Sequence, residues 1–263
     1  MMISKKLSVL CLALLTAGSA ALAQRAVTSA YQLGAGTTDI LDTYLSQEKF
    51  SGAGLTFLAT REWQKGNSRW TTLTEHELNF ATAEDRAGSR EELQADYSLF
   101  VGRLYGWQWG RLTLQAGGMV AANVGVVYNT SNSNNLAQAR LSLQLMPTGA
   151  AAYDITLFRR TLRLSYELQL PLAGVMFCPN YGQSYYEIFS LGNYDHNVVP
   201  MTLVSAPNFR QQIAAEYPVT RHVNLRLGYL GHYQQAEANN LKSHIYSHRV
   251  MIGVVRNFTI FPR

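Results

Sequence analysis

The chain has 263 residues, 47% hydrophobic and only 15% charged, with 22 Lys and Arg against 17 Asp and Glu and a formal net charge of +5. That charge content is low for a water-exposed surface, and no block of Lys or Arg forms the electrostatic footprint of a nucleic-acid-binding protein. Beyond the N-terminus no stretch approaches the roughly 20 apolar residues of a spanning helix, so membrane residence would have to come from another pattern.

Lys5 and Lys6, the apolar run Leu7–Leu15 and the small residues of Ala21-Leu22-Ala23 make a cleavable secretory signal. We read residues 1–23 as that signal and 24–263 as one mature domain beginning at Gln24. Ser8-Val9-Leu10 before Cys11 lacks the small residues of a lipidation site, so Cys11 reads as part of the apolar run. Cleavage leaves 20 basic against 17 acidic residues and a single cysteine, Cys178, which has no intrachain disulfide partner.

In chain order, Val27–Ala35 reads as a short first strand and Gly36–Gly52 as a polar, aromatic connection. Gly54–Trp63 alternates Leu55, Phe57 and Ala59 against Thr56 and Thr60, and Lys65–Ser68 is a tight turn. Trp70–Ala83 is a strand carrying Glu75 and Glu77, less cleanly apolar on either face, and Ala83–Arg90 a charged loop. Glu92–Tyr105 sets Leu93, Ala95, Tyr97, Leu99 and Val101 against Gln94, Asp96 and Ser98. Gly106–Gly110 reads as a turn holding two tryptophans. Arg111–Tyr128 directs Leu112, Leu114, Val120, Val124 and Val126 to one face, and the Asn/Ser run from Asn129 to Asn135 is a loop.

Leu136–Phe158 alternates Leu141, Leu143 and Leu145 against Arg140, Ser142 and Gln144, with a bulge expected at Pro147-Thr148-Gly149 because proline cannot donate to the ladder. Phe158–Thr161 turns into the clearest strand of all. Leu162, Leu164, Tyr166, Leu168, Leu170 and Leu172 share one parity, with Arg163, Ser165, Glu167 and Gln169 on the other. Cys178–Ala206 is the longest irregular stretch. Pro207–Tyr217, His222–Gln235 and Ser243–Phe261 are the last strands, joined through Pro218–Arg221 and Asn239-Asn240.

Apolar residues dispersed by alternation, behind a secretory signal, indicate an all-β antiparallel transmembrane β-barrel of a Gram-negative outer membrane, with about 10 strands (range 8–12). The count shifts by two if Cys178–Ala206 contains a further hairpin or Val27–Ala35 stays unpaired. Connections alternate between short and long, which puts both termini at the short-turn, periplasmic end. Trp63, Trp70, Tyr105, Trp107, Trp109, Tyr128, Phe177, Tyr217, Tyr233, Tyr246, Phe258 and Phe261 lie near strand ends, where amphipathic rings form interfacial girdles. A secreted β-sandwich also alternates, but with a more charged outer face.

The segment Leu41-Asp42-Thr43-Tyr44-Leu45-Ser46, followed by Phe50-Ser51-Gly52, resembles an uncharacterised family of outer-membrane β-barrel proteins of Bacteroides-type Gram-negative bacteria. The likeness extends over the mature chain to Asn257-Phe258-Thr259-Ile260-Phe261. It implies an outer-membrane location and brings no catalytic residue or cofactor. Pro262-Arg263 depart from the aromatic terminus that the barrel-assembly machinery usually reads.

Candidate chemistry is sparse. Centring the last hairpin on Asn239-Asn240 sets His232 opposite Ser247, with Arg249 on the face of Ser247. A histidine beside a strand serine is the seed of a membrane-embedded lipid hydrolase or lipid A-modifying enzyme, although no third group is placed to orient the imidazole. The alternative is a polar lumen, and the expected function is non-enzymatic: structural, surface recognition or a narrow channel. His244 and His248 stand roughly 13 Å apart along a strand, too far for one metal ion, and no cofactor motif is present. Tyr181, Tyr185, Tyr186 and Tyr194, interleaved with amides, mark a candidate surface recognition loop, against the alternative of a loop packed on itself over the mouth. Arg140, Arg163, Glu167, Arg210, Glu216 and Arg226 are expected to face the lumen and pair across it, since an open aqueous channel usually takes about 16 strands. Expected partners are outer-membrane lipids, the assembly machinery during biogenesis and an extracellular or small-molecule ligand of unknown identity, with no nucleic acid.

Overall fold

A computed structural model describes residues 25–133, 135–158, 160–220 and 222–260. The signal segment 1–23, Phe261 and Pro262-Arg263 lie outside the described residues. The strands are β1 (Arg25–Asp42), β2 (Phe50–Lys65), β3 (Trp70–Glu84), β4 (Glu91–Trp109), β5 (Leu112–Asn129), β6 (Ala137–Leu157), β7 (Arg160–Gln169), β8 (Ala173–Phe177), β9 (Val198–Thr202), β10 (Phe209–Pro218), β11 (Val223–Ala238) and β12 (Leu241–Ile260), with one helical turn, α1 (Tyr185–Phe189). Each of β1 to β6 pairs antiparallel with the next, β7 pairs with β6 and β10, and β12 returns to β1. β7 with β8, and β9 with β10, are two halves of single wall positions, so the sheet closes as a ten-position antiparallel barrel. Both described ends, Arg25 and Ile260, are paired at the end of the barrel that carries the short turns.

The period-2 pattern decides what each strand shows to the outside. Leu33, Leu55, Phe80, Val124, Leu143, Leu145, Ile213, Leu227 and Ile252 are all exposed, and they come from strands all around the wall. Moving each such side chain from water to an apolar medium is worth about 1.5–3 kcal/mol. An outer face of this kind is stable only against an apolar surround. Toward the short-turn end the rings form a belt. Trp70 meets Tyr105 edge-on at 5.2 Å, Tyr105 meets Trp107 at 5.0 Å, and the Arg103 and Arg256 guanidinium carbons sit 5.3 and 4.8 Å from the Trp70 and Phe258 ring centroids.

Three local expectations are corrected. β1 continues through Gly36 to Asp42, because β12 and β2 pair with it on both sides and hold a stretch whose own composition is loop-like. β4 runs through Gly106 to Trp109, opposite Leu112, so the two tryptophans belong to the strand and the turn shrinks to Gly110-Arg111, with Gly110 at φ +58°. The bulge expected at Pro147 is across the ladder instead. Pro147 pairs in regular register with Gly118, and its carbonyl accepts from Leu170 N–H at 3.0 Å. The edge on which Pro147 lacks a donor therefore faces β7–β8, and there the register slips by one, from Thr148↔Gln169 to Leu145↔Ala173. Leu172 and Ala173 both point outward, and the inward parity changes from Gln169 to Gly174 and Met176. The 178–206 stretch contains a hairpin half, β9, as well as α1.

A two-residue hairpin joins β11 to β12 through Asn239 and Asn240, at φ +53° and +59°, the geometry that matches the strand twist. Valine tolerates that region poorly, so Asn240→Val should lower the unfolding free energy by about 1–2 kcal/mol, read as the urea midpoint of the vesicle-inserted chain. An unchanged midpoint would mean that the turn is not held in this conformation.

Candidate functional site

The inward residues stack in layers along the lumen. On β3 the period of two puts Glu75, Glu77 and Asn79 on one face; β7 contributes Glu167 and Gln169, β10 Arg210, and β11 His232. Arg210 is the hub, fully buried. Its Nε donates to Glu77 Oε2 at 2.7 Å and its Nη1 to Glu75 Oε2 at 2.9 Å, with Glu167 Oε1 3.8 Å away. The guanidinium carbon lies 4.9 Å from the Phe100 ring centroid. His232 Nδ1 is 2.8 Å from Glu77 Oε1, and Asn79 Nδ2 donates to Glu77 Oε1 and Asp96 Oδ2 at 2.9 and 3.1 Å. Gln169 Nε2 donates to Glu167 Oε1 at 2.7 Å and Glu75 Oε2 at 3.1 Å. The polar belt continues through Thr56 to Arg249, which donates to Thr56 Oγ1 at 3.1 Å, Thr38 Oγ1 at 2.7 Å and the Thr37 carbonyl. Gly54 makes room for it, since a Cβ there would lie 2.2 Å from Arg249 Nη2.

Toward the short-turn end an apolar layer follows, built from Leu58, Leu73, Leu104, Met119, Leu230 and Met251. Arg226 and Glu216 pair beyond it at 3.4 Å, and a polar vestibule of about 580 Å³, lined by Glu62, Arg69, Gln115, Asp154 and Arg163, occupies that end. On the other side of the Arg210 layer is a chamber of about 70 Å³. It is roofed by Ile40, Leu45, Phe50, Val127, Leu241 and Ile245 together with Cys178.

The 178–197 loop forms a lid on that roof. Ser184 and Glu187 make a reciprocal capping box at α1. Ile188 is buried, the Tyr185 hydroxyl accepts from Ala139 N–H at 2.7 Å and donates to Gln138 Oε1 at 2.9 Å, and Tyr44 donates to the Gln183 carbonyl at 2.9 Å. The backbone amide of Ser184 holds the Glu187 carboxyl below its usual range. Burial, with help from the charge of Asp42, pushes the Tyr44 phenol up to about 12 and the Cys178 thiol up to about 11.

Arg140 lies 3.6 Å from Asp42 and lines the chamber; Arg163 lies 3.8 Å from Asp154 in the vestibule. Glu167 and Arg210 belong to the central layer. His232 and Ser247 are direct cross-strand partners on the lumen face, but no hydrogen bond joins them; Glu77 holds His232 Nδ1 at 2.8 Å, a third group able to orient the imidazole that the sequence pattern did not reveal. Tyr181, Tyr186 and Tyr194 are exposed. Tyr185 is half-buried, its ring packed against Phe177, Tyr44 and Phe189. His248 Nδ1 sits 2.6 Å from the Tyr229 hydroxyl on the outer face. Among the described residues no three His, Cys, Asp or Glu side chains are arranged around a metal site. Sequence reasoning missed Glu75 and Glu77 as the counter-charges. Their only signal was the E-x-E parity on β3, which names no partner.

A family model described as protein of unknown function (DUF3316) matches residues 6–263. The chain belongs to this family. No curated protein matches the DUF3316 chain in sequence. Among solved structures, the outer membrane protease OmpT from Escherichia coli aligns with TM-score 0.50 and 8% identity, covering 92% of this chain and 99% of that one. The transport unit of the autotransporter AIDA-I from Escherichia coli aligns at TM-score 0.41 and 8% identity, with 92% of each chain covered. The translocator domain of autotransporter NalP from Neisseria meningitidis aligns at 0.38 and 12%, covering 98% of this chain and 95% of that one. At such identities the likeness is one of fold: the DUF3316 barrel resembles outer-membrane β-barrel proteins.

Truncating Arg210 strands three glutamates in a buried layer, so Arg210→Met should cost about 3–5 kcal/mol of stability by urea titration in vesicles. Adding Glu75→Gln and Glu77→Gln should recover part of it; equal loss in all variants would show that charge is not the cause. A thiol raised from 9.0 to about 11 carries about a hundredfold less thiolate at neutral pH. Cys178 in the folded chain should therefore react with maleimide at least that much more slowly than in urea. Equal rates would mean that the lid is not seated.

Proposed function

We propose that this chain is an integral outer-membrane barrel of a Bacteroides-type Gram-negative bacterium. In this reading it is non-enzymatic, its lumen is closed, and its role is to hold a recognition surface at the cell exterior. The observation that carries it is the double seal. The buried Arg210–Glu75–Glu77–Glu167 layer stands directly against the apolar layer of Leu73, Leu104 and Met119, with the lid over the mouth. Desolvated charges paired with one another offer no aqueous path, and ten strands enclose a lumen that side chains fill.

The short-turn end would then face the periplasm and the lid the exterior. What remains exposed there is Tyr181, Tyr186 and Tyr194 among amides, a chemistry suited to a carbohydrate or protein ligand. Outer-membrane lipids would contact the apolar wall, the assembly machinery would read the closing strand, and no cofactor or nucleic acid takes part. The lipid-hydrolase alternative needs His232 Nε2 in hydrogen-bond contact with Ser247. Glu77 on Nδ1 would orient the imidazole for that role, yet no bond joins His232 to Ser247, and this missing contact is what weighs against it.

Purified full-length chain in planar bilayers should give no steady conductance, and Ser247→Ala should leave the lipid profile of expressing cells unchanged. A stable open channel in the unmodified protein would overturn the closed-lumen reading. A lipid modification lost in Ser247→Ala would overturn the non-enzymatic one.

A further inference from the structure

Among the described residues, the wall is a continuous backbone ladder except in one sector. The β10–β11 pairing stops at Phe209↔Tyr233, and β9 pairs with β8 alone, so β11 beyond Tyr233 has no strand beside it on that edge. Between the register pairs Gln169↔Arg210 and Ala173↔Thr202, one side advances four residues and the other eight. The surplus is a flap, residues 203–208. Thr202 N–H donates to Ser205 Oγ at 3.0 Å and its carbonyl accepts from Ala206 N–H at 2.9 Å, which folds the flap on itself. Pro200, two residues earlier on the same edge of β9, has no N–H to present, which blunts that edge. Side chains and single carbonyls fasten the flap to β11. Asn208 Oδ1 accepts from Gln235 N–H at 2.6 Å, Gln235 Nε2 donates to the Pro207 carbonyl at 2.9 Å, and Glu237 N–H donates to the Ser205 carbonyl at 2.9 Å. Outside, Leu203 is 58% and Val204 90% exposed.

Directly behind the flap lies the chamber, lined on this side by Met176, Met201, Asn208, Phe209 and Gln235. Along the barrel axis it lies between the apolar cluster around Ile40 and Phe50 and the Arg210 layer. Met146, Met176 and Met201 give it an adaptable apolar lining, and at its polar end Arg140 has a buried Nε with no hydrogen-bond partner. A volume of about 70 Å³ holds only a handful of waters, at roughly 10–15 Å³ each by this measure, so an acyl chain needs the flap displaced. That motion breaks no strand pairing.

We propose that residues 203–208 form a lateral gate, and that the chamber takes the acyl chain of a single-chain amphiphile entering from the surrounding bilayer, its polar head toward Arg140 and Ser142. This rests on the outer-membrane reading above. The ligand class follows from the place of entry: the gate presents Leu203 and Val204 to whatever surrounds the wall, and the apolar wall selects lipid.

The test uses full-length protein in detergent-free phospholipid vesicles, with Cys178→Ser and a reporter thiol from Ser142→Cys. A membrane-partitioning pyrene maleimide should label the reporter faster than a charged, impermeant maleimide. Asn208→Ala, which removes the Asn208 side-chain bonds to Gln235 N–H and, at 3.2 Å, to Gln144 Oε1, should speed the pyrene reagent about tenfold through the local opening equilibrium and leave the charged reagent unchanged. Sodium dodecanoate should slow the pyrene reagent. Asn208→Ser serves if the alanine variant loses its heat-modifiable gel mobility. Labelling chiefly by the charged reagent, a reporter inert even after loosening the flap, or indifference to dodecanoate would each overturn the gate. A chain that fails to insert into vesicles would overturn the outer-membrane reading instead, which keeps the two failures distinguishable.

Discussion

Closure of β1 onto β12 is the constraint on which the molecule turns. A strand whose outer face meets an apolar surround has no water to satisfy its N–H and C=O groups, so each edge has to find another strand. The β1–β12 ladder, running from Arg25↔Ile260 to Asp42↔Ser243, joins the first strand to the last, so that among the described residues only β9 and β11 beyond Tyr233 keep an edge with no strand beside it. Once the sheet is closed, alternation forces every second residue into a lumen too narrow to be left as water. Polar residues placed there have to satisfy one another, which is why Arg210 gathers acids from β3 and β7, and Arg249 gathers hydroxyls from β1 and β2. Such a layer adds little net stability over an apolar one. It is intolerant of loss, however, and it ties together strands that are far apart around the wall.

The strand pattern was legible because the outer face repeats one chemical demand at every second position. Boundaries were less so. Gly36 and Thr37–Asp39 look like a loop in isolation and become strand only because two neighbours pair with them. Trp107 and Trp109, flanked by glycines, look like a turn, while the ladder to β5 carries both as outward rings. Within the lumen, the inward parity of Arg210 could be read locally. Its partners could not, because Glu75 and Glu77 are 135 and 133 residues away in sequence and only barrel closure brings them together. The tyrosine-rich loop was visible by composition, but the direction of each ring is set by contacts. Tyr185 turns inward because Gln138 and Ala139 N–H offer its hydroxyl partners, whereas Tyr181 and Tyr194 stay outside.

The departures from regular ladder all fall in one sector, and each explains the next. Pro147 on β6 presents a donor-less edge to β7–β8, and the register slips by one where that strand is already short of a bond. The slip reverses the inward parity, so Met176 enters the lumen where the leucine row would have kept an apolar residue outside. With β8 offset, its partner β9 lies out of line with β10, and the residues between them cannot all join the ladder. They are spent in the 203–208 flap. Backbone pairs on the β1–β5 side are replaced here by the amide side chains of Asn208 and Gln235, which are longer, carry more rotamer freedom and are individually weaker as constraints. Local opening therefore costs least in this sector. The barrel is rigid where strands hold strands, and it yields where a proline on one strand has obliged side chains to hold the wall.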